Sequence, residues 1–205
     1  MKLYTSVDIA PSEKKIGYDD KILLLGSCFA DNIGAKFGEH YFQATVNPFG
    51  TLYNPASIRR SIDLSLSRNN KRYMLQHNGL WHSMMHHGTF SHPDKDMLIA
   101  RCEESQTLLR TALQNASTII VTFGTSWVYK MDGMVVANCH KMPAERFDRH
   151  CMSAGEIIES WLPLLDQIPN KHWMFTVSPS RQVKGGLLAN HLSRAKLLLA
   201  MGVLV

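Results

Sequence analysis

The feature that most constrains this chain is a short apolar run that stops at a glycine and is repeated further along. Lys21-Ile22-Leu23-Leu24-Leu25 ends at Gly26, and Ser117-Thr118-Ile119-Ile120-Val121-Thr122-Phe123 ends at Gly124. Runs this short and this apolar suit central strands buried on both faces, and the glycine marks the tight turn that follows. After Ser27, the residues Phe29, Ala30, Ile33 and Phe37 recur at spacings of three and four, the period of a helix face. Strand, turn, serine and helix therefore follow one another directly.

The same alternation continues. Gln43 to Val46 reads as a second strand, running into the Pro/Gly loop Asn47-Pro48-Phe49-Gly50. Asn54-Pro55 opens a helix expected over 56–66, because Pro55 suits a first turn whose N–H has no partner. Asn78-Gly79 and Asp132-Gly133 each separate two half-apolar runs and predict tight hairpins, inserted on the main sheet. Further helices are expected from Glu103 to Ala116, over 153–166 and from Asn190 to Met201, with a fourth core strand at His172 to Val177. Strands alternating with helices over most of the length give an α/β class: a three-layer αβα domain with a mostly parallel sheet, one domain spanning 1–205. Ligands of such sheets bind at the carboxyl ends of the strands. The segments around Ser27, 47–50, 124–126 and 178–181 fall at those ends.

Composition excludes several classes. A chain of 205 residues, 45% hydrophobic and 19% charged, has enough apolar material for a core and lies far from disordered composition. The net charge of +5 is spread along the chain without a basic block, so no nucleic-acid partner is expected. Cys28, Cys102, Cys139 and Cys151 form no C-x-x-C pair, and reduced thiols are expected. The N-terminus lacks the uninterrupted apolar stretch of a signal peptide or membrane span, which gives a cytoplasmic expectation with no membrane partner. His82, His86, His87 and His92 crowd one region, but no carboxylate or cysteine follows at a recognised zinc spacing, so neither a metal nor another cofactor is expected.

Ser27 in a strand-to-helix turn lies near unpaired backbone N–H groups and the positive end of the helix dipole, where a developing oxyanion is stabilised. The same position would let it serve only as a helix cap. Cys28 is the competing nucleophile. Its side chain leaves the turn in another direction, and burial as a structural thiol is the commoner fate of a cysteine.

Gly26-Ser27-Cys28-Phe29-Ala30 resembles the GSCFA family. So, in order along the chain, do Asn47-Pro48-Phe49-Gly50-Thr51, Val121 to Trp127, Asn138-Cys139-His140-Lys141 and Ser178-Pro179-Ser180-Arg181. GSCFA proteins look like members of the SGNH hydrolase superfamily, and the resemblance implies a flavodoxin-like fold, ester hydrolysis or acyl transfer, and Ser27 as nucleophile. It also implies oxyanion donors: the N–H groups of Ser27 and Gly50, and an amide after the third strand. At that third position the chain reads Gly124-Thr125-Ser126, so Ser126, Asn47 or Asn138 would have to replace the amide. His140 and Arg181 are the remaining candidates for the site, as a loop anchor or base and as an anion receptor or brace. Gln182 stands where the family commonly has histidine.

The resemblance further implies a general base from a C-terminal Asp-x-x-His, which these residues do not contain, and on that ground the chain is expected to be truncated. The expected function is a serine esterase, O-acyl hydrolase or acyltransferase acting on an acylated small molecule or glycan; the alternative is a non-catalytic binding or structural protein that keeps the fold. The apolar C-terminus also suggests an exposed sheet edge and a homodimer.

Overall fold

The computed structural model describes residues 10–67, 73–179 and 186–204. Four parallel strands form the main sheet: β1 (Lys21–Gly26), β2 (Gln43–Val46), β6 (Thr118–Phe123) and β10 (His172–Val177). Their spatial order is β2-β1-β6-β10, with Leu24 beside both Val46 and Ile120, and Gly26 beside Thr122. The chain moves from β1 to one side and then returns to β6 on the other, so the topological switch point lies between β1 and β6.

The strand side chains alternate between two unequal apolar layers. On one face Leu23, Leu25, Ile119, Val121, Phe123 and Phe175 pack with four helices: α2 (Pro55–Leu66), α3 (Lys95–Asn115), α4 (Ala154–Gln167) and α5 (Leu187–Leu204). Trp161 of α4 is the largest side chain buried there, meeting Phe123 and Phe175 edge-on. Burying a side chain of the Val, Leu or Phe kind stabilises by about 1.5–3 kcal/mol, so this layer dominates the fold. On the other face Ile22, Leu24 and Ile120 pack under α1 (Cys28–Glu39) through Ala30, Ile33 and Phe37. Gly34 brings α1 close to β2: a Cβ there would lie 2.3 Å from Val46 Cγ2.

The helices start where their caps dictate. Asn54 accepts from the Ser57 N–H ahead of Pro55, and Ser153 and Glu156 form a reciprocal capping box at α4. Asp94 caps α3 by accepting from Asp96 and Met97, so that helix begins at Lys95 and not at Glu103, and its buried face starts with Leu98 and Cys102. Helix α5 is long and apolar enough, by length and composition, to cross a membrane. It buries Leu197, Ala200 and Leu204 in the core, while Leu188, Leu199 and Val203 stay exposed.

Both expected hairpins form. Asn78-Gly79 joins β3 (Met74–His77) to β4 (Leu80–Ser83), and Asp132-Gly133 joins β7 (Trp127–Met131) to β8 (Met134–Val136), with positive φ at all four turn residues. Each hairpin gains a third strand that its sequence does not advertise, β5 (Ser91–His92) on β4 and β9 (Asp148–Cys151) on β7. Asp148-Arg149-His150-Cys151 lacks the apolar alternation of a half-buried strand. The two small sheets meet through Met84, Met85, Met131, Val136 and Met142.

Candidate active site

At the carboxyl end of β1 the backbone turns so tightly that only glycine fits. Gly26 has φ +132, and a Cβ on it would lie 2.1 Å from the Thr122 carbonyl oxygen. Ser27 follows as the N-cap of α1, with φ −70 and ψ 174. Its N–H donates to Thr122 O at 3.1 Å, and its Oγ accepts a long 3.3 Å bond from the Phe29 N–H. Asp31 in the first turn and Lys36 in the last complement the helix dipole. Gly124, at the end of β6, packs directly against Ser27 and Tyr53: a Cβ there would meet Ser27 Cβ at 3.3 Å and the Tyr53 ring at 3.2 Å. Ser27 and Gly124 thus sit side by side at the switch point.

The 47–52 loop is fastened to that turn. Asn47 adopts φ +41; its Oδ1 accepts from the Gly26 N–H at 2.7 Å and its Nδ2 donates to Asp31 Oδ1 at 2.6 Å. Thr51 Oγ1 donates to the other Asp31 oxygen at 2.9 Å, and the Leu52 N–H donates to Gly26 O at 2.9 Å. Tyr53 O accepts from both the Gly124 and Thr125 N–H groups. Burial, and then the nearby Cys28 and Asp31, raise the Tyr53 phenol above its ordinary pKa.

A second layer holds the loop from outside. The His87 N–H donates to Phe49 O at 2.9 Å, and a Cβ on Gly50, which has φ +73, would lie 2.4 Å from His87 Cβ. His86 is sandwiched between Phe49, stacked at 4.2 Å, and Phe90 at 4.6 Å. Ser105 donates its hydroxyl to Cys102 O, so it accepts from His86 Nε2–H at 2.9 Å, which leaves Nδ1 to accept from Ser83 at 2.6 Å. That chain needs a neutral ring. Burial above all, with His140 adding to it, pushes the imidazole from 6.5 down to about 3.

Residues 21–205 match the GSCFA family. The chain belongs to that family. No curated protein and no solved structure gives a comparable match.

Against the donors that the GSCFA resemblance implies, the geometry requires corrections. The Ser27 N–H points to Thr122 O, and the Gly50 N–H donates to Asn47 O at 2.7 Å, so neither is aimed at a reacting carbonyl. Asn47 spends its amide bracing Gly26 and Asp31. Ser126 is fully buried, and its hydroxyl faces Ser193 of α5 and Cys151. Asn138 accepts from the His140 N–H, and His140 Nε2 donates to Ser83 O at 2.9 Å. Burial foremost lowers the His140 pKa to about 4, against the raising effect of its bond to Ser83. Among the described residues no hydrogen bond joins either residue to Ser27, and both belong to the loop-supporting layer. Arg181 lies outside the described residues. Cys28 is exposed at the first position of α1, not buried as a structural thiol.

The donor that remains is the Cys28 N–H, which as the first of α1 has no intrahelical acceptor. Among the described residues no imidazole or carboxylate bonds Ser27 Oγ, and no three His, Cys, Asp or Glu side chains converge as a metal-ligand set. A cavity of about 310 Å³ opens elsewhere, beside the amino ends of β1 and β2 against α3, and is lined by Lys21, Gln43, Leu108 and Asn115. It lacks any pairing of nucleophile and donor. Chemistry, not volume, places the candidate site at Ser27. Sequence reading missed Asp31, Thr51 and Tyr53 there; a carboxylate four residues after the serine, on the same helix face, was the available signal for Asp31.

Proposed function

We propose that this GSCFA protein is a serine-dependent acyl-ester hydrolase or acyltransferase of SGNH type, acting on an acylated small molecule or glycan in the cytoplasm. The observation that carries the reading is Ser27 at the N-terminus of α1, at the switch point of a parallel sheet, with Gly124 at the end of β6 packed against it. The strand order β2-β1-β6-β10 supports a flavodoxin-like assignment, since doubly wound sheets of that kind run 2-1-3-4 and bind ligands at this point. In the reaction Ser27 Oγ attacks the acyl carbonyl. The Cys28 N–H and the positive end of α1 meet the developing oxyanion, and Asp31 holds the loop side of the site through Asn47 and Thr51.

A specific observation favours a second reading, a binding or structural protein without turnover. Ser27 is 1% exposed and already caps α1, and without a base to take its proton a serine is a poor nucleophile. Hydrolysis of p-nitrophenyl acetate separates the two. An enzyme lacking a described base should show slow turnover, no more than roughly 10³–10⁴ over water as in triads stripped of members. It should fall to background in Ser27→Ala and largely survive Cys28→Ala. Hydrolysis no faster than background in the folded wild type would leave the non-catalytic reading standing, and turnover unaffected by Ser27→Ala, in a variant shown by its urea midpoint to be folded, would overturn Ser27 as the nucleophile.

A further inference from the structure

Where α5 crosses the β7–β9 sheet, reactive side chains that play no part in the proposed acyl transfer converge. Lys196 Nζ lies 3.2 Å from Cys151 Sγ, and Ser126 Oγ lies 3.3 Å from the same sulfur. Ser193, one turn before Lys196, takes the Ser126 N–H at 2.8 Å and its hydroxyl at 3.0 Å, which fixes the register of α5 against this sheet. Cys151 is pinned by pairing with Trp127, and Lys196 by the buried Ser193, Leu197 and Ala200 on its helix. Both are half-buried, so a small oxidant reaches them. Among the described residues no carboxylate lies within ion-pair distance of Lys196, and Cys151 is a free thiol. The nearest nucleophile to an oxidised Cys151 is therefore the lysine amine, not a second thiol.

We propose that Cys151 and Lys196 are a modification site at which a hydroperoxide installs a covalent sulfur–nitrogen cross-link between β9 and α5. The Cys151 thiolate attacks the hydroperoxide; an S–O bond forms as the O–O bond breaks, the sulfur loses two electrons, and water or an alcohol leaves. The neutral Lys196 amine then attacks the sulfenic sulfur. An S–N bond forms, the S–O bond breaks, and the hydroxyl leaves as water with one amine proton. No second oxidant is needed. Two equivalents of a small thiol reverse the link, the first forming a mixed disulfide and freeing the amine, the second releasing the Cys151 thiol as a small-molecule disulfide forms. The link closes a loop of 45 residues and anchors α5 beside Ser126, so it raises the resistance of the fold to unfolding.

The test is hydrogen peroxide treatment of the full chain carrying Cys28→Ser, to remove the exposed thiol, followed by intact mass and tryptic mapping. The expected product is lighter by two hydrogens. It should contain one peptide joining the Cys151 and Lys196 segments with trypsin blocked at Lys196, unfold at higher urea, and revert with dithiothreitol. Lys196→Arg keeps a cation at the sulfur but removes the attacking amine, and should abolish the product without unfolding the chain. The proposal is overturned if Cys151 instead gains two or three oxygens with Lys196 still cleaved. It is equally overturned if the joined peptide retains the peroxide oxygen, or if the same mass loss persists in Lys196→Arg.

Discussion

Acidification should weaken this protein through His86, and the size of the effect follows from its surroundings. The ring is buried between Phe49 and Phe90 with both nitrogens committed to serine hydroxyls, and its pKa falls from 6.5 in the open chain to about 3 in the fold. The unfolded chain then binds a proton that the native state refuses. Native stability is therefore unaffected well above pH 6.5, falls as the pH drops below 6.5, and stops falling near pH 3, where the native ring is itself protonated. At about 1.4 kcal/mol per unit, the gap amounts to ~5 kcal/mol, comparable with the whole stability of many domains. His140, lowered to about 4, acts in the same direction over most of that range. Urea unfolding followed by tryptophan fluorescence at a series of pH values reads the slope directly. Wild-type unfolding free energy should drop by several kcal/mol, on the order of the gap, between neutral and acid pH. In His86→Phe it should be lower at neutral pH by about 1–3 kcal/mol, because Ser83 loses its partner, yet markedly flatter with pH. Equal pH slopes in wild type and His86→Phe would refute the reasoning, since the proton uptake would then reside elsewhere.

Gly34→Ala should destabilise by about 1–3 kcal/mol through the clash with Val46, and Val46→Ala in the same chain should restore part of the loss, measured as a double-mutant cycle in urea. Ser153→Ala removes half of the α4 capping box and should cost about 1 kcal/mol, seen as a lower urea midpoint with an unchanged m-value. Asn47→Ala should cost about 1–3 kcal/mol by leaving the buried Gly26 N–H unpaired. Asn47→Gly should cost less, because glycine keeps the φ of +41 without strain.

The fold was legible wherever one local signal decided the outcome. Buried parallel strands show as unbroken apolar runs, and Ile22 to Leu25 and Ile119 to Phe123 had no other plausible place. Asn78-Gly79 and Asp132-Gly133 fixed two turns because few other residues accept positive φ twice in succession. What escaped depended on partners distant in sequence. Strand β9 is polar and exists because β7 offers it an edge, with Trp127 beside Cys151. The start of α3 was legible and was missed: Leu98 and Cys102 lie in helical spacing with Gln106 and Leu109 on the buried face, and the Asp94 cap sets the first turn ahead of them.

The candidate site divides along the same line, and the division bears on its chemistry. That Ser27 would occupy a strand-to-helix turn followed from Gly26 and the helical period after it. Which N–H groups stay free for an oxyanion did not, because that depends on acceptors supplied by Thr122, Asn47 and Tyr53 from other segments. Those bonds give the turn its shape and are also what a reacting carbonyl oxygen would have to displace. Exchanging one backbone bond sacrifices a net of about 0.5–1.5 kcal/mol. An oxyanion donor is worth about 2.7–4 kcal/mol to the transition state. Under the proposed acyl transfer, the balance points to the Gly50 N–H, now bonded to Asn47 O, as the donor to re-aim, because it sits in a positive-φ turn at the loop tip. The Ser27 N–H is less free to move, since turning it away from Thr122 O would shift Gly26, whose missing Cβ already lets it touch that carbonyl. On that proposal the Cys28 and Gly50 N–H groups together are the two-donor hole this turn can reach at least cost.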